Sequence, residues 1–192
     1  MSHVEYALRA LLMLEKKTDG LTDRYITLSA RRGQHKTKLH VTTAKECSAC
    51  VSQGKDYLYK TQYSFFDLSV DENGLWAIYA DNDERSSLLV SKLNADDLTI
   101  EKTWTVPVIH AEYGNGFIAC GLLYLIKDVV STTTTIDYAY DLYTKQRRNA
   151  SLSFNNPYHM NTMVAFNHVE RQIYSWDRGH LLTYPLLLEP LN

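Results

Sequence analysis

Gly74-Leu75-Trp76-Ala77-Ile78-Tyr79 is echoed twice along the chain, as Gly121-Leu122-Leu123-Tyr124-Leu125-Ile126 and as Arg171-Gln172-Ile173-Tyr174-Ser175-Trp176. Aligning Leu75, Leu123 and Ile173 gives intervals of 48 and 50 residues. In each copy an aliphatic residue precedes an aromatic one, after a turn written in Asn, Gly or charged residues. A second series follows the first: Leu88-Leu89-Val90-Ser91, Thr135-Ile136-Asp137-Tyr138 and Leu181-Leu182-Thr183-Tyr184, with Leu89, Ile136 and Leu182 spaced by 47 and 46 residues. Two independent series sharing one period point to a repeated unit of several short strands. A period of roughly 40–50 residues is that of a propeller blade, a four-stranded sheet whose faces its neighbours must cover. A β-sandwich also alternates strands and turns, but its strands do not recur as sets. The expected fold is therefore all-β and propeller-like.

Working outward, strand-and-turn writing begins near Tyr63 and continues to the end of the sequence. Upstream, residues 3–15 place Val4, Leu8, Leu11, Leu12 and Met13 largely on one helical face. Glu5 and Arg9 interrupt that run, which predicts an amphipathic helix rather than a signal peptide or a membrane span. The basic run Arg31-Arg32-Gly33-Gln34-His35-Lys36-Thr37-Lys38 lacks interleaved aromatics and is read as a solvated loop. The expected division is a helix and polar basic loop over 1–45, and a blade-containing domain over 46–192. The 192 residues are 45 % hydrophobic with a formal net charge of −2, enough for a core and too neutral for nucleic acid as the main partner. No stretch predicts membrane insertion. The 14 tyrosines suit strands and half-buried contact surfaces.

The stretch Asp67-Leu68-Ser69-Val70-Asp71-Glu72-Asn73-Gly74-Leu75-Trp76-Ala77-Ile78-Tyr79 resembles the signature strand pair of olfactomedin domains. The similarity continues through Val90–Asn94, Glu101–Trp104, Asn115–Tyr124, Tyr138–Asp141 and Asn156–Tyr158, and ends in Ile173–Asp177. Order and spacing both fit over about residues 63–188. The resemblance implies a five-bladed propeller, secreted or displayed outside cells, that acts through protein–protein contacts in adhesion, matrix assembly and signalling and is not an enzyme. About three of the five blades are expected here, with Gly54–Lys60 as the remnant of one earlier strand. A ring left open in this way exposes strand edges and blade faces and invites self-association. The partners implied are extracellular or cell-surface proteins.

The resemblance also carries site residues. Olfactomedin domains often hold calcium in the central channel; Asp67 matches a carboxylate ligand, Asn115 the amide ligand, and Gly116 and Val164 positions that ligate through backbone carbonyls. Another carboxylate position falls on Ala165 and a further Asp position on Phe65, so any calcium is expected to bind weakly, because charge count tunes affinity. Cys120 matches a family cysteine that forms a disulfide, with Cys47 or Cys50 as its candidate partner. His35, His40, Cys47 and Cys50 are also the right kinds of ligand for zinc, in an order unlike a zinc finger. Asn149-Ala150-Ser151 is an N-glycosylation acceptor, expected in a turn after Arg147-Arg148.

No G-x-S-x-G, P-loop or H-E-x-x-H occurs, and the seven histidines are scattered. Asp71-Glu72 and Asp81–Glu84 are read as turn residues. An extracellular binding module is the favoured function. An intracellular propeller-like scaffold is the alternative, and an enzyme using Asp67, Asn115 and His110 around a channel ranks last.

Overall fold

The computed structural model describes residues 24–29, 38–43, 57–61, 66–80, 86–95 and 98–186. The expected helix at 3–15, the basic run at 31–37, Cys47, Cys50 and Phe65 lie outside them. Two strands, β1 (Arg24–Ser29) and β2 (Lys38–Thr43), pair antiparallel from Arg24↔Thr43 to Ser29↔Lys38. They fall in the stretch expected to be helix and loop. The alternation in Tyr25-Ile26-Thr27-Leu28, rich in β-branched residues, accounts for the first of them.

The remaining strands form three antiparallel sheets. Blade I contains β3 (Phe66–Asp71), β4 (Gly74–Ala80), β5 (Ser87–Leu93) and β6 (Ile100–Pro107) in sequence order. Blade II contains β7 (Asn115–Ala119), β8 (Leu122–Ile126), β9 (Thr133–Asp141) and β10 (Gln146–Asn155). Blade III contains β11 (Asn161–Asn167), β12 (Gln172–Asp177) and β13 (His180–Pro185). Leu75, Leu123 and Ile173 fall in β4, β8 and β12, the second strand of each blade; Leu89, Ile136 and Leu182 fall in the third. The repeat is thus a repeat of blades. The first strands β3, β7 and β11 lie against one another, as inner strands do around a propeller axis. Among the described residues the three sheets do not close a ring.

Alternation gives each sheet two faces, and stacking buries them. Trp76, Ile78, Leu88 and Val90 of blade I meet Leu123, Leu125, Tyr138 and Tyr140 of blade II in one core. Phe117, Ile126 and Ile136 on the other face of blade II meet Val164, Phe166 and Ile173 of blade III. Leu75, Ala77, Tyr79, Leu89 and Leu93 form a third buried cluster on the far face of blade I.

The face of β3 that looks toward blade II also carries polar side chains. Ser69 Oγ accepts the Ile118 amide at 2.8 Å, and Asp71 Oδ2 accepts the Gly121 amide at 2.8 Å. Asp71 Oδ1 further accepts the Asn73 amide and the Trp76 indole N–H, both at 2.8 Å. Its carboxylate is 2 % exposed, so it is a buried tie between two blades rather than only the turn residue expected from the sequence. Asp177 ties blade III to the connection leading into it: buried completely, it accepts the Tyr158 and Met160 amides at 2.8 and 2.7 Å.

The segment Tyr57–Thr61 corrects the expectation of a leftover strand. It is a series of bends. Its backbone bonds go to the connection between blades I and II, with the Lys60 amide donating to the Tyr113 carbonyl at 2.8 Å. Leu58 and Tyr59 are buried in the core between those blades. A strand needs a sheet edge to pair with; this segment instead plugs a gap.

Asp71→Ala removes the acceptor of two buried donors, the Gly121 amide and the Trp76 indole N–H, and of the half-buried Asn73 amide. Each orphaned donor costs roughly 1–3 kcal/mol, with partial relief by relaxation, so urea denaturation should show a loss of about 3 kcal/mol or more. Ser69→Ala removes a single bond and should lose about 1 kcal/mol.

Candidate functional site

Asp67 on β3 and Asn115 on β7 occupy the same register position, opposite Ile78 and Ile126 respectively. Alternation turns each toward the following blade. Asp67 Oδ1 accepts the Leu68 amide at 2.8 Å, and Oδ2 accepts the Tyr59 hydroxyl at 3.3 Å. Burial pushes the Asp67 carboxyl up to about 7, against the opposing pull of the Leu68 and Tyr59 hydrogen bonds. The Tyr59 phenol is raised as well, by burial first and by the neighbouring carboxylate second.

Gly116 completes this group. A Cβ there would lie 2.9 Å from the Tyr59 hydroxyl oxygen and 2.8 Å from Leu125 Cδ2, so only glycine lets the inner strand of blade II approach Tyr59. Asn115 faces the other way. Its Oδ1 accepts the Gly116 amide at 2.8 Å, and its Nδ2 donates to Asn161 Oδ1 on β11 at 3.4 Å. Asn161 Nδ2 continues the chain to Ser175 Oγ at 2.6 Å and Asn156 Oδ1 at 3.2 Å. The structure therefore joins Asp67 to Tyr59 and Gly116, and joins Asn115 to a buried amide network in blade III. Val164 is buried on the blade II side of β11.

The expected loss of a ligand in the third blade has a structural form. The β11–β12 turn spans residues 168–171, two more than the turn Glu72-Asn73, so the register equivalent of Asp67 is Met163, opposite Trp176. Neither Met163 nor Ala165 offers a side-chain oxygen. Oxygen donors from Asp67, Asn115 and the Gly116 and Val164 backbones suit a hard cation in kind. They supply one carboxylate, already engaged by Tyr59. Among the described residues no three His, Cys, Asp or Glu side chains converge as a metal site.

The other predicted residues lie apart. Cys120 is exposed in the β7–β8 turn at φ 54°, without a disulfide partner among the described residues. Partial burial, then the Glu72 carboxylate, pushes its thiol up to about 11. Side chains of His35, His40, Cys47 and Cys50 are outside the described set. Asn149 is exposed, though it sits within strand β10 at a bulge between Asn149 and Leu152, not in a turn. The bulge frees the strand locally, which a three-residue motif cannot signal. His110 belongs to a short 3₁₀ turn (His110–Glu112), and its Nδ1 lies 2.8 Å from the Leu58 carbonyl oxygen. It is packed into the joint between blades. Tyr59 and the Asn161–Ser175–Asn156 network were missed by sequence reading, since their partners lie 5 to 46 residues away.

This architecture agrees with the comparisons to known proteins, in which the olfactomedin-like domain signature matches residues 31–191. The chain belongs to the olfactomedin-like domain family. The family match begins inside the segment that sequence reading had set apart as 1–45. Myocilin of Rattus norvegicus is 36 % identical over 129 residues, covering 67 % of this chain and 26 % of that protein. Myocilin of Oryctolagus cuniculus shows the same identity and coverage, and that of Homo sapiens is 33 % identical over 129 residues. The chain thus spans about a quarter of the length of these curated relatives, 26 % in each case. The olfactomedin-like family supports a module of the extracellular protein-interaction type.

The raised Asp67 pKa sets a stability slope. Between the ordinary value of 3.8 and about 7 the folded chain keeps a proton that the unfolded chain has released, so stability falls as pH rises through that window. The slope is at most about 1.4 kcal/mol per pH unit, less for a carboxylate that keeps some solvent contact. Urea midpoints at pH 5, 6, 7 and 8 in chelator-containing buffer should drop in the parent relative to Asp67→Asn; parallel curves would show that the carboxylate is not desolvated.

Proposed function

We propose that this chain is a non-catalytic, extracellular binding module of the olfactomedin type, carrying part of a propeller and contacting cell-surface or matrix proteins in adhesion or signalling. The observation that carries this reading is the stack of blades itself. Polar groups at the joints hydrogen-bond across them, Ser69 to the Ile118 amide, Asp71 to the Gly121 amide and Asn115 to Asn161, and His110, the one histidine considered for catalysis, is packed against Leu58. The outer strands β6 and β10 expose side chains such as Glu101, Lys102, Arg147 and Arg148. Such rigid, mixed-charge surfaces suit recognition of another protein.

Extracellular placement has a direct test. Directed into the secretory pathway of cultured cells, the chain should gain a single N-glycan that peptide N-glycosidase removes, and Asn149→Gln should abolish that mobility shift. Retention of an unglycosylated chain inside the cell would favour the intracellular scaffold instead.

Within the same reading, Asp67 and Asn115, with the backbone carbonyls of Gly116 and Val164, hold Ca²⁺ weakly. One carboxylate places the dissociation constant at about 1 mM or weaker, the loose end of the range for extracellular modules. Titration calorimetry with CaCl₂ should show this binding at pH 8 and its loss in Asp67→Asn. A silent titration up to tens of millimolar would remove calcium from the proposal and leave the binding-module reading in place.

A further inference from the structure

The dipeptide Asn–Gly occurs twice in the chain, as Asn73-Gly74 and as Asn115-Gly116. It is the least protected setting for a side-chain amide, because glycine has no Cβ to screen its own backbone nitrogen from the asparagine carbonyl carbon. The two copies sit in opposite surroundings. Asn115 is 4 % exposed within strand β7, its Oδ1 accepts the Gly116 amide at 2.8 Å, and its Nδ2 donates to Asn161. That amide proton is held on an oxygen, away from water and from any base. Asn73 is half-buried in the two-residue turn between β3 and β4, and Gly74 follows it at φ 125°. A Cβ at Gly74 would meet only Lys92 Cε, at 3.7 Å, so the space beside this amide is open. Asn73 Nδ2 donates to Asp71 Oδ2 at 3.1 Å, the same oxygen that accepts the Gly121 amide of blade II.

We propose that Asn73 is a site of spontaneous deamidation whose products loosen the joint between blades I and II. Hydroxide removes the Gly74 amide proton, and the nitrogen bonds to the Asn73 side-chain carbonyl carbon. The bond from that carbon to Nδ2 breaks, and ammonia leaves. Water then opens the five-membered imide at one of its two carbonyls, giving aspartate or isoaspartate. Aspartate puts a carboxylate where the amide donated, so a hydrogen bond of 3.1 Å is replaced by like charges at that range. Isoaspartate routes the main chain through the former side chain and lengthens a two-residue turn by one methylene. The turn sets the register of β3 on β4, so that change also moves Asp71. Because Asp71 holds the Gly121 amide and the Trp76 indole, either product reaches beyond the turn to the tie between blades. The inference is independent of the proposed function.

The full chain, kept folded at pH 8.5 and 37 °C for four weeks, should gain aspartate and isoaspartate at residue 73 by peptide mass spectrometry, while Asn115 stays an amide. A parallel sample unfolded in guanidinium chloride should convert both. The aged chain should melt about 2–4 °C below the fresh one. Asn73→Gln, which must close a larger ring and does so far more slowly, should keep its melting temperature over the same period. In unaged Asn73→Asp, hydrogen exchange at the Gly121 amide should quicken roughly tenfold. An intact Asn73 in the folded sample beside conversion in the unfolded one overturns the site, as does conversion of Asn115 at the same rate. Conversion without a fall in melting temperature, an equal fall in Asn73→Gln, or unchanged exchange at Gly121 overturns the effect on the joint.

Discussion

Three side chains on one face of β3 fix how the blades sit against each other. Asp71, Ser69 and Asp67 follow one another at every second residue, and so all point toward blade II. The first two accept the Gly121 and Ile118 amides, and the third accepts the hydroxyl of Tyr59, which packs beside Gly116. The apolar cores between blades supply most of the free energy, at about 1.5–3 kcal/mol for each fully buried aliphatic or aromatic side chain. That term is non-directional. A flat sheet can slide on another with little change in buried area, whereas a buried carboxylate that loses its amides cannot. The polar row turns two sheets that merely adhere into two sheets in register, and β7 then carries Asn115 into position for blade III.

The blades could be read from the sequence because their signal is local. Leu75 and Leu123 sit in hairpins whose turn residues, alternation and strand lengths are all set within a dozen positions, and a period repeats that signal. Asp71 shows where local reading stops. A carboxylate beside a tight turn looks the same in sequence whether it bonds only to its own turn or also to an amide 50 residues away. Tyr59 is a similar case, since only the fold brings it beside Asp67 and Gly116. The β1–β2 hairpin is harder to read because its two short strands are separated by a charged run that carries no turn signature of its own.

The site around Asp67 and Asn115 was legible as residue types and not as geometry. Equivalent positions on β3 and β7 carry a carboxylate and an amide, and the third blade, lengthened by two turn residues, brings Met163 to that register. An amide can satisfy itself within the protein, as Asn115 does through Asn161, Ser175 and Asn156. The Asp67 carboxylate has no cationic partner among the described residues, and desolvation instead favours its proton. The carboxylate and the amide thus answer enclosure between blades in different ways.

Blade stacking is directional, because the face bearing Trp76 and Ile78 always meets the opposite face of the next sheet. A stack of this kind either closes into a ring or leaves one face of each type at its ends. Here the two ends are unequal. Leu75, Ala77 and Tyr79 at the first end are buried, while Trp176 and its neighbours at the last end meet water. Were both ends open, copies could add head to tail without limit, which is the route to fibres. Among the described residues the first end is covered, which shuts that route. Covering one end of an open stack therefore limits polymerisation even though the other end stays apolar.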